Sequence, residues 1–106
     1  MVKAMFFLYR RADLSDEAFR GYSQDVHVLL VSRVPGLRRY IVNHTMLNPS
    51  DAANACDAVA ELWFDSIEAF QTALASPEGE AALKDQANYL DLARTHVLFV
   101  NELHAL

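Results

Sequence analysis

Two periods divide the chain. From Val2 to Tyr9 the apolar residues alternate, Val2, Ala4, Phe6 and Leu8 on one side and Met5, Phe7 and Tyr9 on the other. The run stops at Arg10-Arg11, which predicts a first strand. Beyond it Phe19, Tyr22, Val26, Leu29 and Leu30 recur at helical spacing. Asp13 or Ser15 can cap that helix, and Asp16 and Glu17 sit in its first turn, where the positive end of the helix dipole favours carboxylates. Pro35-Gly36 ends the run. A second strand spans about 37–46, with Tyr40, Val42, His44 and Met46 on one face, and a polar loop follows from Asn48 to Asn54. A third strand covers about 57–64. It sets Ala58, Ala60, Leu62 and Phe64 on one face and Val59, Glu61 and Trp63 on the other.

Asp65-Ser66 opens the next helix, with Glu68 placed as the third helical residue after an Asp65 cap. Ser76-Pro77-Glu78 is a fresh start signal, so a second helical stretch covers about 77–90. A last strand runs from His96 to Leu103. The order β-α-β-β-α-β predicts an α+β, ferredoxin-like fold with a four-stranded antiparallel sheet, formed by one domain over residues 1–106. Helices cover one face of such a sheet, and the other should turn polar. Here the first and last strands are apolar on both faces, so the helix-free face needs a cover. A second copy packed sheet to sheet supplies it, and a homodimer is expected.

Composition narrows the function. A 53% hydrophobic share and 22% charged residues suit a folded body of this size. Fourteen acidic residues against nine Lys and Arg leave a net charge of −5, which argues against nucleic acid as a partner. The lone cysteine, Cys56, forms no intrachain disulfide and is read as inert. The apolar N-terminal run is too short to span a membrane and lacks a small-residue cleavage site. No membrane association is expected, and a cytoplasmic location is. His27, His44, His96 and His104 fall in no metal-ligand spacing, and no Gly-rich phosphate loop is present. No metal and no nucleotide cofactor is expected, and the working expectation is no cofactor at all, although a haem or flavin held by tertiary contacts leaves no spacing to read in the sequence.

One constellation goes further. Phe19-x-x-Tyr22-x-x-x-x-His27, followed by Pro35-Gly36-Leu37-x-x-Tyr40, resembles the signature of the EthD family. So does Ala60-Glu61-Leu62-Trp63-Phe64-Asp65-Ser66, with Phe70 in the following helix. The chain is also similar, more distantly, to methylmuconolactone and muconolactone isomerases. The resemblance implies a dimeric α/β barrel. It also implies a small-molecule role, either associated with oxidoreductases or that of a cofactor-independent enzyme on lactones and polyketide-derived rings. Family members often carry tryptophan after the helix-1 aromatic, where this chain has Ser23. A small residue there enlarges a pocket or offers a hydroxyl to His27 one turn on.

The residues with candidate chemistry each carry a plainer reading. His27 lies at the edge of the stripe formed by Phe19, Tyr22, Val26 and Leu30, where an imidazole can face a pocket and work as general acid or base. The plainer reading is a boundary histidine bonded to a backbone carbonyl. Tyr40 can hold a substrate oxygen through its hydroxyl, or be a half-buried core aromatic. Glu61, between Val59 and Trp63, is either a desolvated acid near substrate or one half of a salt bridge across the dimer seam, to Arg38 or Arg39. Trp63 walls a pocket or fills core. Asn101 and Glu102 interrupt the last strand and can bind substrate or cross-link the dimer. Tyr89 and His96 flank the turn into that strand and can close a pocket mouth, and His44 reads as a solvated histidine at a strand end.

These residues support proton transfer on an apolar cyclic or carbonyl-containing metabolite. His27 and Tyr40 would be catalytic, and Phe19, Tyr22, Ser23, Glu61, Trp63 and Asn101 would contact the substrate. The alternative is a non-catalytic module that binds or carries a small molecule for a neighbouring oxidoreductase.

Overall fold

The computed structural model describes residues 1–46 and 55–106. Its strands are β1 (Val2–Leu8), β2 (Arg39–His44), β3 (Ala58–Phe64) and β4 (His96–Val100). All neighbours pair antiparallel, in the order β2-β3-β1-β4, so the two most apolar strands are central. Register fixes the faces. Ala4 lies opposite Leu62 and Phe99, and Phe6 opposite Ala60 and Val97. Tyr40 and Val42 lie opposite Leu62 and Ala60. These residues share the helix-covered face. Lys3, Met5 and Phe7 share the other with Glu61, Trp63, Arg39, Leu98 and His96. The α+β, ferredoxin-like architecture follows the sequence pattern, with shorter second and last strands. Met46 and Leu103 lie outside them and are exposed. The stretch 48–54, expected as a polar loop, lies outside the described residues.

The first helix is built differently from the expectation. It starts at α1 (Asp16–Tyr22), where the Ser15 hydroxyl accepts from the Ala18 amide, and ends in α2 (Val28–Val31). Between them Ser23–His27 form a π turn, in which the Val28 amide reaches back five residues to the Ser23 carbonyl. One extra residue in a turn rotates everything beyond it by about 100°. His27 therefore takes the angular place that an unbroken helix would give Val26. The buried line becomes Phe19, Ser23, His27 and Val31, while Val26 and Leu29 are 38% and 54% exposed. Placing Val26 and Leu29 on the buried stripe assumed an unbroken helix, and the π turn is why they fail, while Leu30 still packs against the core.

The second helical layer breaks where the sequence indicated. α3 (Ile67–Ala75) gives way to α4 (Pro77–Asp85) at Ser76, whose hydroxyl accepts from the Gly79 amide and donates to the Ala73 carbonyl. A Cβ on Gly79 would stand 2.0 Å from that same carbonyl oxygen, so glycine is what lets the two helices meet. The α3 cap is Ser66, accepting from the Ala69 amide, and not Asp65, which pairs with Arg38 at 2.8 Å. After α4 a 3₁₀ turn, Gln86–Asn88, leads to Tyr89, which is fully buried.

Candidate active site

The π turn and the end of α4 face each other across the core, and their meeting makes the site. His27 is 6% exposed, and its Nδ1 lies 2.9 Å from Oδ2 of Asp85, itself 7% exposed. Oδ1 of the same carboxylate accepts from the Tyr22 hydroxyl and, at 3.0 Å, from the Asn88 amide. Burial raises the Asp85 carboxyl, but hydrogen bonds from Tyr22, Asn88 and His27 outweigh it and hold the group below the usual carboxylate range. Burial pushes the His27 imidazole below 6.5, against the opposing hydrogen bond and charge of Asp85. At neutral pH a neutral imidazole thus donates Nδ1–H to an ionised carboxylate. That tautomer leaves Nε2 with a free lone pair.

His27 lines a narrow cleft of about 40 Å³ between the helices and the sheet, and a ligand larger than a few waters enters only where lining side chains such as Leu83, 41% exposed, give way. Tyr40 lines it too, from β2, and burial pushes its hydroxyl up to about 12. The hydroxyl therefore stays protonated and can donate. The remaining wall is largely apolar and includes Leu62, Phe64, Phe70 and Leu83. Tyr89 braces the site from behind, with ring centroids 4.8 Å from His27, 5.2 Å from Tyr22 and 5.5 Å from Phe19.

The other sequence candidates separate by face. Phe19, Tyr22 and Ser23 stand with His27 on the first helix. Ser23 is buried, but the Nδ1 partner is Asp85 rather than its hydroxyl or a backbone carbonyl. Glu61 and Trp63 lie across the sheet from the cleft. Glu61 pairs with Lys3 at 3.1 Å within its own chain. The Trp63 indole donates to Glu102 and stacks between Lys3 and Arg39, 5.1 and 4.8 Å from its centroid. Asn101 is exposed beside this cluster, so these three residues and the His27 cleft are not brought together. Tyr89 is core rather than a mouth residue, and His96 stacks on Phe7 across the sheet. His44 is not solvated in the way expected. Its Nδ1 is buried, and its ring meets the edge of Phe19 at 6.4 Å.

Asp85 escaped the sequence reading. Its signal was position, since Gly79, Ala82 and Asp85 follow one another every three residues along the buried line of α4. Among the described residues no three His, Cys, Asp or Glu side chains cluster as metal ligands would. No helix among them is long and apolar enough to cross a membrane.

Comparison with known proteins supplies a family. The EthD domain model matches residues 11–93. A protein of Pseudomonas reinekei named 4-carboxymethyl-4-methylbutenolide mutase is 30% identical over 82 residues, 72% of this chain and 76% of that one. The crystal structure of an EthD family protein from Bacillus halodurans superposes with a TM-score of 0.81 at 25% identity, covering 97% and 99% of the two chains. A dimeric protein of ferredoxin-like fold from Bacteroides fragilis superposes at 0.70 with 17% identity, covering 95% of each, and speaks to fold alone.

Proposed function

Because the chain belongs to the EthD family, we propose that it is a small cofactor-independent enzyme that moves a proton within an apolar, carbonyl-bearing metabolite. The observation that carries this reading is the His27–Asp85 pair at the wall of an apolar cleft that Tyr40 also lines. The Asp85 carboxylate holds the Nδ1–H tautomer, so Nε2 is the base. It takes a proton from the carbon beside a carbonyl, and the C–H electron pair moves onto the carbonyl oxygen, which the Tyr40 hydroxyl stabilises by hydrogen bonding. The imidazolium returns the proton at another carbon of the same conjugated system, giving an isomer and restoring His27. The mutase named among its relatives is consistent with isomerisation.

The working form in this proposal is a homodimer closed through the helix-free face, where Met5, Ile41, Val59 and Leu98 leave apolar surface uncovered within the chain. A neighbour of the same fold is itself dimeric, which supports two copies without bearing on the face they share. The test is proton shift in small butenolides, followed by NMR in D₂O. His27→Gln should retain the fold and lose about 100-fold or more of the rate. Undiminished turnover in that variant would end the proposal, and a ligand that binds without exchange would leave a binding module in its place.

A further inference from the structure

The carboxylate behind His27 is shared. Oδ2 of Asp85 takes Nδ1–H of the imidazole at 2.9 Å, and Oδ1 takes the Tyr22 hydroxyl and, at 3.0 Å, the Asn88 amide. The first helix, α4 and the 3₁₀ turn after it thus meet on one side chain. The π turn makes the meeting possible. Around an unbroken helix, residues five apart stand about 140° apart and residues four apart only about 40°. The extra residue in Ser23–His27 gives Tyr22 and His27 the smaller separation, so both reach the same carboxylate.

Tyr22 stands outside the cleft lining, to which the first helix sends His27 and Val31. A ligand in the cleft meets His27, and the phenol lies one carboxylate further back. The hydrogen bond to Asp85, with burial, raises the Tyr22 hydroxyl above 10.0, so it remains a donor. A donor on Oδ1 draws negative charge from Oδ2, and the charge left on Oδ2 is what favours a proton on the imidazole. The other groups facing the pair are neutral. Asn88 is an amide, the Tyr89 ring lies 4.8 Å from His27 with its hydroxyl pushed up by burial, and Tyr40 on β2 is held at about 12. No Lys, Arg or Glu lines the cleft, so among the described residues Asp85 is the formal charge that His27 touches.

We propose that Tyr22 is a positioning residue for His27 acting through Asp85: its hydroxyl occupies one carboxylate oxygen and so limits how strongly the other keeps a proton on the imidazole. This rests on reading His27 as the base, and it adds the neighbour that sets the pH range in which that base is free. Asn88 works in the same direction from the 3₁₀ turn.

Tyr22→Phe tests this in the full-length protein. The ring stays, and with it the stacking on Tyr89 at 5.2 Å, while the donor is removed. Followed by NMR, the protonation midpoint of the His27 imidazole should rise by about half a pH unit or more. The acid limb of the rate–pH profile should move with it. Asn88→Ala, at an exposed position, removes the other Oδ1 donor and should shift the midpoint the same way. A purely structural role would lower the melting temperature and leave the midpoint in place. A midpoint unchanged or lowered in Tyr22→Phe, or in Asn88→Ala should the first variant not fold, would overturn the inference. The catalytic reading fails separately, because the midpoint is read without substrate. A native protein that moves no proton in a butenolide, yet shows the shift, loses the enzyme and keeps the role of Tyr22. Proton shift that needs His27 beside an unmoved midpoint does the reverse.

Discussion

Asp85 is a carboxylate with three donors and almost no water, and that arrangement has measurable consequences. Asp85→Asn keeps the shape but removes the charge that selects the Nδ1–H tautomer of His27. Turnover should fall about 100-fold or more, and stability by about 1–3 kcal/mol. The ¹⁵N shifts of the imidazole would report the tautomer directly. His27 also ties stability to pH. Its folded pKa lies below 6.5, so near and below that pH the unfolded chain binds the extra proton. Stability should therefore rise as pH rises through 6.5 and be lost as pH falls below it. The Asp85 contribution is retained until pH falls below the ordinary carboxylate value of 3.8. Urea midpoints between pH 5 and 7.5 should climb for the native chain and climb less for His27→Gln.

Legibility differed among these residues for a physical reason. His27 and Tyr40 were visible because aromatic and proline-glycine landmarks frame them. Asp85 was not, because a charged side chain on a helix is ordinarily solvated. Only its place in line with Gly79 and Ala82 marked it as buried.

At the scale of elements, periodicity located every strand and both helical layers, since alternation in β1 and β3 leaves one register that buries Ala4, Leu8, Ala58 and Ala60 together. It failed inside the first helix. Hydrophobic spacing assumes a constant turn, and the π turn at Ser23–His27 inserts a residue that composition does not announce. The junction of α3 and α4 was readable because Ser76-Pro77 is a local signal, satisfied by contacts three residues away on either side. Gly79 holds that junction by absence of a side chain. Gly79→Ala should push the helices apart and cost more than about 2 kcal/mol, a drop of roughly 8 °C or more in the melting temperature. A melt unchanged within a degree would show that the backbone yields there.

For the whole molecule, the unsolved surface is the helix-free face. Its apolar residues on β1 and β4 were legible as alternation without a polar side. The ion and stacking cluster of Lys3, Glu61, Trp63, Arg39 and Glu102 was not, because it is assembled from three strands and the segment after the last. Light scattering should give twice the chain mass for the native protein. Leu98→Lys, at a position already 52% exposed within one chain, should give a folded monomer with an unchanged circular dichroism spectrum. A native monomer at micromolar concentration would refute the sheet-to-sheet dimer.

The sheet divides the molecule more sharply than its size suggests. His27, Tyr40 and Gln86 lie on one side, and the Trp63 cluster on the other, with a backbone layer between them and no shared side chain. Substitutions on the two sides have no common partner through which to interfere, so their energetic effects should add. Lineages are then free to redraw one surface while conserving the other. Change in how copies associate and change in what the cleft accepts become separate histories, written on opposite faces of the same four strands.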